Sequence, residues 1–412
     1  MIPIGVDELR GLGLGELEGE GEVTGLTIDS RRAGVGDLFV AVRGGRDFVS
    51  DARVRGAATL VPLDEHAAMA AIGRLVRDRS TARFVGITGS TGKTSTKDIL
   101  AALCAPVART VATESSYNAE LGVPLTLGRV EPDTEICIVE MGMRGFGQIA
   151  ELCEIARPEV GVITAIGPVH LELVGSVDGV ARSKAELVAA LPAEGIAVVP
   201  DSTQLEPHLR QDIEIRRVPR ADVVLRDGGA DVLFQGRRIR FPFTARHQAQ
   251  NALTALTAYE ALGLALDRLA TGAAGVSLSP WRGEELELPG GGFVVNDAYN
   301  ANPTSMEAAL RHLAERGREH RRLAILGGMA ELGEHGDVHH REIARLADEL
   351  GIELLTVGEL ARLYDADTWE PDAAAALDAA RALVRPGDAV LVKASRSVGL
   401  EGIAPALANH RP

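Results

Sequence analysis

The period of apolar positions changes twice along the chain. Up to about residue 80 the apolar runs are short and interrupted by turns, as in "VTGLTIDSRR" and "GDLFVAVRGG". "GLGLGELEGEGE" (11–22) is Gly/Glu-biased and reads as turns between small elements. "AAMAAIGRLVRDR" then reads as a helix leading into a new unit. From residue 83 short apolar runs alternate with amphipathic segments. "RFVGIT", "EICIVE", "VGVITAI" and "GIAVVP" read as buried strands, and "TSTKDILAALC", "GQIAELCEIA" and "VDGVARSKAELVAAL" as helices. "HQAQNALTALTAYEALGL" reads as a further long helix. Beyond residue 280 the alternation resumes, with strands at "GFVVNDA", "RLAILGG", "IELLTVG" and "DAVLVKA". This pattern predicts an α/β protein whose parallel sheets are covered on both faces. It divides into a small α/β N-terminal module (1–82), a central parallel-sheet domain (83–279) and a C-terminal Rossmann-like α/β domain (280–412) without a G-x-G-x-x-G fingerprint.

A chain of 412 residues is long for one core and suits two or three domains. Its formal net charge of −15 argues against broad nucleic-acid or anionic-membrane binding, which needs a basic face. Small anionic ligands need only local positive groups. Cys104, Cys137 and Cys153 lie in apolar or helical settings without metal-ligand spacing and read as buried thiols of a reducing compartment. "MIPIGVDELRGLG" has no basic region followed by an apolar run, so no signal peptide is expected, and no uncharged apolar stretch of about 18 residues is present. These readings together predict a cytoplasmic protein.

"GITGSTGKTSTKD" (86–98) carries the first chemistry. A strand ending at Thr88, tight turns at Gly89 and Gly92, and a helix starting near Thr94 form a phosphate cradle. In that cradle Gly89, Ser90, Thr91 and Gly92 offer backbone N–H groups. Lys93 reaches the β- and γ-phosphates, and the Thr94 hydroxyl serves Mg²⁺. The spacing departs from the usual G-x-x-x-x-G-K-[ST], because position 87 is Ile87. A glycine-rich turn with a surface lysine is the bland alternative, and G-K-T at a strand–helix junction argues against it.

Glu140 closes the strand "ICIVE", where open α/β sheets place ligand groups. A strand-end glutamate facing water would read the same way. His170 in "AIGPVHLELVGS" lies just past the next strand, on the same sheet edge; alone it reads as structural or exposed. Lys184 in "GVARSKAEL" sits on a helix beside Glu186 and alone reads as a solvated surface pair.

Taken together, the shortened G-x-x-G-K-T of Gly89–Thr94 and the order of Glu140, His170 and Lys184 resemble the Mur ligase family. "TIDSRRAGVGDLFVAVRG", "TESSYNAELGVPLTL" and "ARHQAQNALTAL" resemble its N-terminal and central segments, so the likeness spans nearly the whole chain. It implies an ATP- and Mg²⁺-dependent ligase. Thr94, Glu140, His170 and a carbamylated Lys184 would hold the metal, and Lys93 would act on the phosphates. The resemblance further implies that Asn251, Arg282, Asp297 and Asn300 serve the nucleotide. Ser30, Arg31, Asn118, Glu120, Tyr299, Asn302, Lys393, Ser395 and Arg396 would serve the substrates.

"NDAYNANPTSM" (296–306) and "LVKASRSVGLE" resemble the family member that joins D-alanyl-D-alanine to a UDP-muramoyl tripeptide. The implied substrates are these two small molecules, and the implied form is a monomer. An Asn/Pro turn capping a helix at Asn302–Pro303 would also explain part of "YNANP". The alternatives are a folate-type glutamate ligase or another Mur-type ligase, and a nucleotide-binding module without chemistry. The first is opposed by "YNANP" and "LVKASR", the second by the intact set Lys93, Thr94, Glu140, His170 and Lys184. Two departures from the family pattern stand out. "VRGGRDFVSDA" lacks residues often found before the family's H-D-F, and "LGGMAELGEHG" has Gly328 where Asp is common; no functional loss is attached to the latter.

Overall fold

The computed structural model describes residues 1–226 and 228–410. Its strands build three α/β units, each around its own sheet. The central sheet has six strands, all parallel, in the spatial order Glu214–Val218, Ile196–Pro200, Val160–Ile163, Arg83–Thr88, Ile136–Glu140, Thr110–Ala112. Alternate side chains enter different cores, as a pleated strand requires. Phe84, Cys137 and Val139 join one apolar cluster with Met69, Ile72 and Leu152; Val85, Ile87, Ile136 and Ile138 join another with Leu100, Leu103 and Leu256. Helices Glu65–Arg79 and Gln148–Ala156 cover the first face, and Lys93–Cys104 and Arg246–Ala261 the second. All three cysteines are buried and unpaired, and burial pushes their thiols up to about 12.

The C-terminal sheet runs Glu284–Glu287, Phe293–Asn296, Ala389–Lys393, Arg322–Gly327, Glu353–Val357, Thr368–Glu370. Its first strand is antiparallel and the rest are parallel. The three strands Phe293–Asn296, Ala389–Lys393 and Arg322–Gly327 are neighbours. The loops that follow them, "DAYNANP", "ASRS" and "GMAELG", therefore emerge side by side.

The N-terminal unit holds a four-stranded sheet, Gly15–Glu18, Ala58–Pro62, Asp37–Val40, Gly25–Thr27. Its first strand corrects the reading of residues 11–22 as turns. "GELE" alternates half-buried with exposed positions and pairs antiparallel with Thr59–Pro62 as an edge strand, a length too short to register as a period in the sequence. A three-stranded antiparallel sheet, Val223–Arg226, Gly229–Phe234 and Arg237–Phe241, was also not foreseen. Its Ala230, Val232 and Phe241 complete the core under helix Arg246–Ala261. Among the described residues, no helix is long and apolar enough to cross a membrane.

Candidate active site

The chain enters the central sheet at Arg83–Thr88, lays the edge strand Thr110–Ala112, fills in Ile136–Glu140 between the two, then crosses to Val160–Ile163 on the other side. That reversal opens a crevice at the carboxyl ends of the strands, where α/β sheets bind ligands. Gly89–Thr94, Glu140 and His170 all follow strands that end there. Ile87 belongs to the strand itself, buried opposite Glu140 and Val162, so the loop begins two residues later than the common spacing requires. Gly89 has φ +148°, and a Cβ there would meet Thr164 Oγ1 at 2.0 Å. Gly92 caps helix Lys93–Cys104 with φ +80°, and a Cβ there would meet Asn251 Oδ1 at 2.3 Å. Only glycine fits both positions. Ser90 exchanges hydrogen bonds with Gly167, donating from Oγ to the carbonyl at 3.1 Å and accepting from its N–H at 3.0 Å.

Within the crevice Thr94 Oγ1 donates to Glu140 Oε2 at 2.7 Å, and Asn118 Nδ2 donates to Glu140 Oε1 at 2.7 Å. Glu140 is 1% exposed and Thr94 3%. Lys93 Nζ donates to Gly89 O at 2.9 Å. Burial holds the Lys93 ammonium below its ordinary pKa, with Arg282 adding to the shift and Glu140 opposing it.

Lys184 contradicts the surface-pair reading. Ser176 caps its helix, accepting from Gly179 N at 3.1 Å, and the helix turns Ser183 and Lys184 inward. Lys184 is 2% exposed and forms no ion pair among the described residues. Glu186 accepts instead from Gly147 N at 2.7 Å and Ala150 N at 3.2 Å. Burial first, then the Lys93 charge, push the Lys184 amine well below its ordinary pKa, against a smaller pull from Glu186. Both effects favour the uncharged form of the Lys184 amine.

His170 is the left-handed residue (φ 53°) before the short helix Leu171–Val174. Its Nδ1 is hydrogen-bonded to Glu331 Oε2 of the C-terminal unit. Among the described residues no group of three or more His, Cys, Asp and Glu is placed to hold a metal. The groups in the crevice able to meet an ion are the Thr94 hydroxyl, the Glu140 carboxylate and His170, together with oxygens of a bound phosphate. That donor set suits Mg²⁺, which keeps few protein ligands and shares phosphate oxygens.

A continuous series of contacts leads from the phosphate loop to the C-terminal unit. Asn251, seated against Gly92, donates to Gln248 Oε1 at 2.9 Å, and Gln248 Nε2 approaches Arg282 O at 3.4 Å. The Arg282 guanidinium lies 3.9 Å above the Tyr299 ring. Among the described residues its Nε is buried and has no hydrogen-bond partner. Lys393, 2% exposed, donates to Asp297 Oδ2 at 2.6 Å and Asn300 O at 2.9 Å, bracing the loop that carries Tyr299. Ser395 Oγ accepts from Ala330 N at 2.9 Å, and Arg396 lies over the Trp281 ring.

Residues 87–259 match the Mur ligase middle domain, and residues 281–396 match the Mur ligase, glutamate ligase domain. The chain belongs to the Mur ligase family. It is 32% identical to a UDP-N-acetylmuramoyl-tripeptide--D-alanyl-D-alanine ligase of Synechocystis sp., over 95% of this chain and 93% of that one. Among solved structures it resembles MurF from Acinetobacter baumannii, with a TM-score of 0.87, 26% identity and 99% of each chain covered. It also resembles the MurF ligase of Thermotoga maritima in complex with ADP, with a TM-score of 0.81 and 25% identity over 93% of this chain and 96% of that one.

The remaining expected positions of this Mur ligase divide. Glu120 stands near Asn118 in the same loop, half-buried. Asn302 caps helix Pro303–Arg316, accepting from Ser305 N at 3.0 Å, as the helix-cap reading requires. Ser30 is buried, while Arg31 is exposed and bonded to its neighbour Asp29, which it holds down to about 2. Neither lines the cavity of about 510 Å³ between the N-terminal and central units. That cavity is walled by Thr27, Asp29 and Arg32 on one side and Arg109, Tyr117 and Arg129 on the other. Sequence reasoning also passed over Gln248, Thr164 and Glu331. Gln248 lies in the long helix "HQAQNALTAL", Thr164 in the strand run "VGVITAI" and Glu331 in "LGGMAELGEHG", and no local pattern there signals the contacts they make.

Proposed function

We propose that the chain is an ATP-dependent amide ligase that joins D-alanyl-D-alanine to UDP-N-acetylmuramoyl tripeptide. The observation that carries this reading is the contact series Gly92–Asn251–Gln248–Arg282–Tyr299, which brings "DAYNANP" to the phosphate loop. The tripeptide carboxylate attacks the γ-phosphorus of ATP, the bond to the bridging oxygen breaks, and an acyl phosphate and ADP result. The amine of D-alanyl-D-alanine then attacks the acyl carbon, loses a proton, and expels phosphate through a tetrahedral intermediate. Such chemistry depends on alignment and charge neutralisation more than on a strong base.

In this reading Lys93 grips the β- and γ-phosphates while the N–H groups of Gly89, Ser90, Thr91 and Gly92 line them. Thr94, Glu140, His170 and Lys184 as its carbamate hold Mg²⁺. Bound Mg²⁺ would offset charge on the transferring phosphoryl group. Asn251, Arg282, Asp297 and Asn300 attend the nucleotide. Asn118, Glu120, Tyr299, Asn302, Lys393, Ser395 and Arg396 position the two substrates or the loops that meet them. Residues 1–82 take the UDP end, with Ser30 and Arg31 beside the Arg-walled cavity, 83–279 take ATP, and 280–412 take the acceptor. The enzyme works as a cytoplasmic monomer.

The test is phosphate release from ATP with UDP-muramoyl tripeptide, with and without D-alanyl-D-alanine. Release that depends on the dipeptide is expected. Release indifferent to it, or supported equally by glutamate, defeats the reading.

A further inference from the structure

The contact between His170 and Glu331 joins two units of the fold. We infer that Glu331 is a positioning residue of the metal site, holding the His170 ring from the C-terminal unit so that the central unit's donor set is complete only when the two units are docked. The inference rests on the proposed role of His170 as a metal ligand.

Four observations support a built junction rather than a chance surface pair. Glu331 receives two partners at once. Its Oε2 meets His170 Nδ1, and Oε1 accepts from Arg144 Nε at 3.1 Å, both partners being residues of the central unit. The backbone is joined as well, since Glu172 N approaches Glu331 O at 3.4 Å and a Cβ on Gly333 would lie 3.3 Å from Glu172 Cα. Beneath the polar contact, Val169, Leu171 and Val174 share one apolar cluster with Met329 and Leu332. His170 and Glu331 both hold left-handed backbone, at φ 53° and 63°, uncommon for residues other than glycine and more so for Glu than for His.

The chemistry follows from the ring. A proton on Nδ1 shared with a carboxylate leaves the lone pair on Nε2, the form that binds a metal. Metal-binding histidines commonly have their other nitrogen held in this way, and loss of the outer partner typically weakens binding 10- to 100-fold. Here that partner comes from a different unit, so metal affinity and docking of the units become one equilibrium.

The experiment is Mn²⁺ binding to the full chain with ADP, followed by electron paramagnetic resonance, on wild type, Glu331→Gln and His170→Ala. Glu331→Gln should weaken Mn²⁺ binding about 10- to 100-fold. The Mg²⁺ concentration for half-maximal turnover should rise in step while kcat at saturating Mg²⁺ changes little. A merely structural contact would lower the melting temperature and leave Mn²⁺ affinity alone. Glu331→Asn is the second variant, because Asn tolerates left-handed backbone yet falls short of His170; it should match Glu331→Gln. Unchanged Mn²⁺ affinity in both variants, with weakened binding in His170→Ala, overturns the inference and leaves the metal role of His170 standing. Unchanged affinity in all three removes the metal role of His170 and the inference with it.

Discussion

Thr94 Oγ1 and Glu140 Oε2 are 2.7 Å apart although 46 residues separate them in the chain. Ile87 lies opposite Glu140 in the parallel sheet, and the loop after Thr88 brings Thr94 back over that strand end. Both groups are nearly inaccessible, so their alignment is set before any ligand arrives. Thr94→Val and Glu140→Gln should each lower turnover by about 10²-fold or more, the usual scale for losing one charge-stabilising group. Both should also raise the Mg²⁺ requirement. Steady-state rates measured across Mg²⁺ concentrations check this, and a normal Mg²⁺ dependence in Glu140→Gln would remove Glu140 from the metal site.

Lys184 is buried and, among the described residues, has no carboxylate partner, which makes its substitutions informative in opposite directions. Lys184→Met keeps the volume and removes the ionisable group, so the fold should hold within about 1 kcal/mol while activity is lost. Lys184→Arg places a permanent charge in the same site and should destabilise the chain by several kcal/mol. Lys184→Ala should recover activity with added short carboxylates, and CO₂-stripped wild type should recover with bicarbonate. Full activity of Lys184→Ala without additives rules out the carbamate.

Gly89 and Gly92 test the loop itself. A Cβ at either collides with Thr164 or Asn251, and both have positive φ. Alanine there carries a backbone cost of about 1–2 kcal/mol. The side chains it displaces pack against the loop. Gly92→Ala should therefore weaken ADP binding about 10-fold or more by calorimetry, with less effect on the melting temperature of the whole chain. ADP affinity equal to wild type would show that the loop does not enclose the phosphates.

The alternation of strands and helices was legible because the four inner strands of the central sheet are buried on both faces, and runs such as "ICIVE" have no other use. The chemistry at the strand ends was legible for a related reason, since topology alone puts Gly89–Thr94, Glu140 and His170 at one edge. Lys184 was not legible as buried, because neighbouring Arg182 and Glu186 give the helix a charged look while the turn of the helix decides which of them faces in. "GELE" hid as a turn because its pairing partner lies over forty residues away. Gly328 is explained only by contact, since a Cβ there would meet Leu360 Cβ at 2.4 Å, which leaves no room for the Asp common in the family. The role of Glu331 depends on which loop of another sheet it faces, and no local pattern encodes that.

The seam between the central and C-terminal units carries a pH dependence. His312 on helix Pro303–Arg316 meets His247 on helix Arg246–Ala261 edge to face, with ring centroids 6.2 Å apart. Burial, and then the neighbouring His247, hold His312 down to about 4, although Glu285, Asp297 and Glu315 pull the other way. The folded state therefore takes up this proton less readily than the unfolded chain, whose histidine has the ordinary value of about 6.5. Stability from the neutral ring is fully present above about pH 6.5 and declines as the pH falls, with the loss complete near pH 4. The two values differ enough to be worth about 3 kcal/mol at the acid end. His312→Phe keeps an aromatic ring in the site and cannot take the proton. The difference in unfolding free energy between wild type and this variant should be flat above pH 7 and shift by about 3 kcal/mol in favour of the variant by pH 4. Carboxylates distant from His312 titrate alike in both proteins and cancel in the difference. A difference that stays constant from pH 7 to pH 4 would show that His312 ionises in the folded protein as freely as in the unfolded chain.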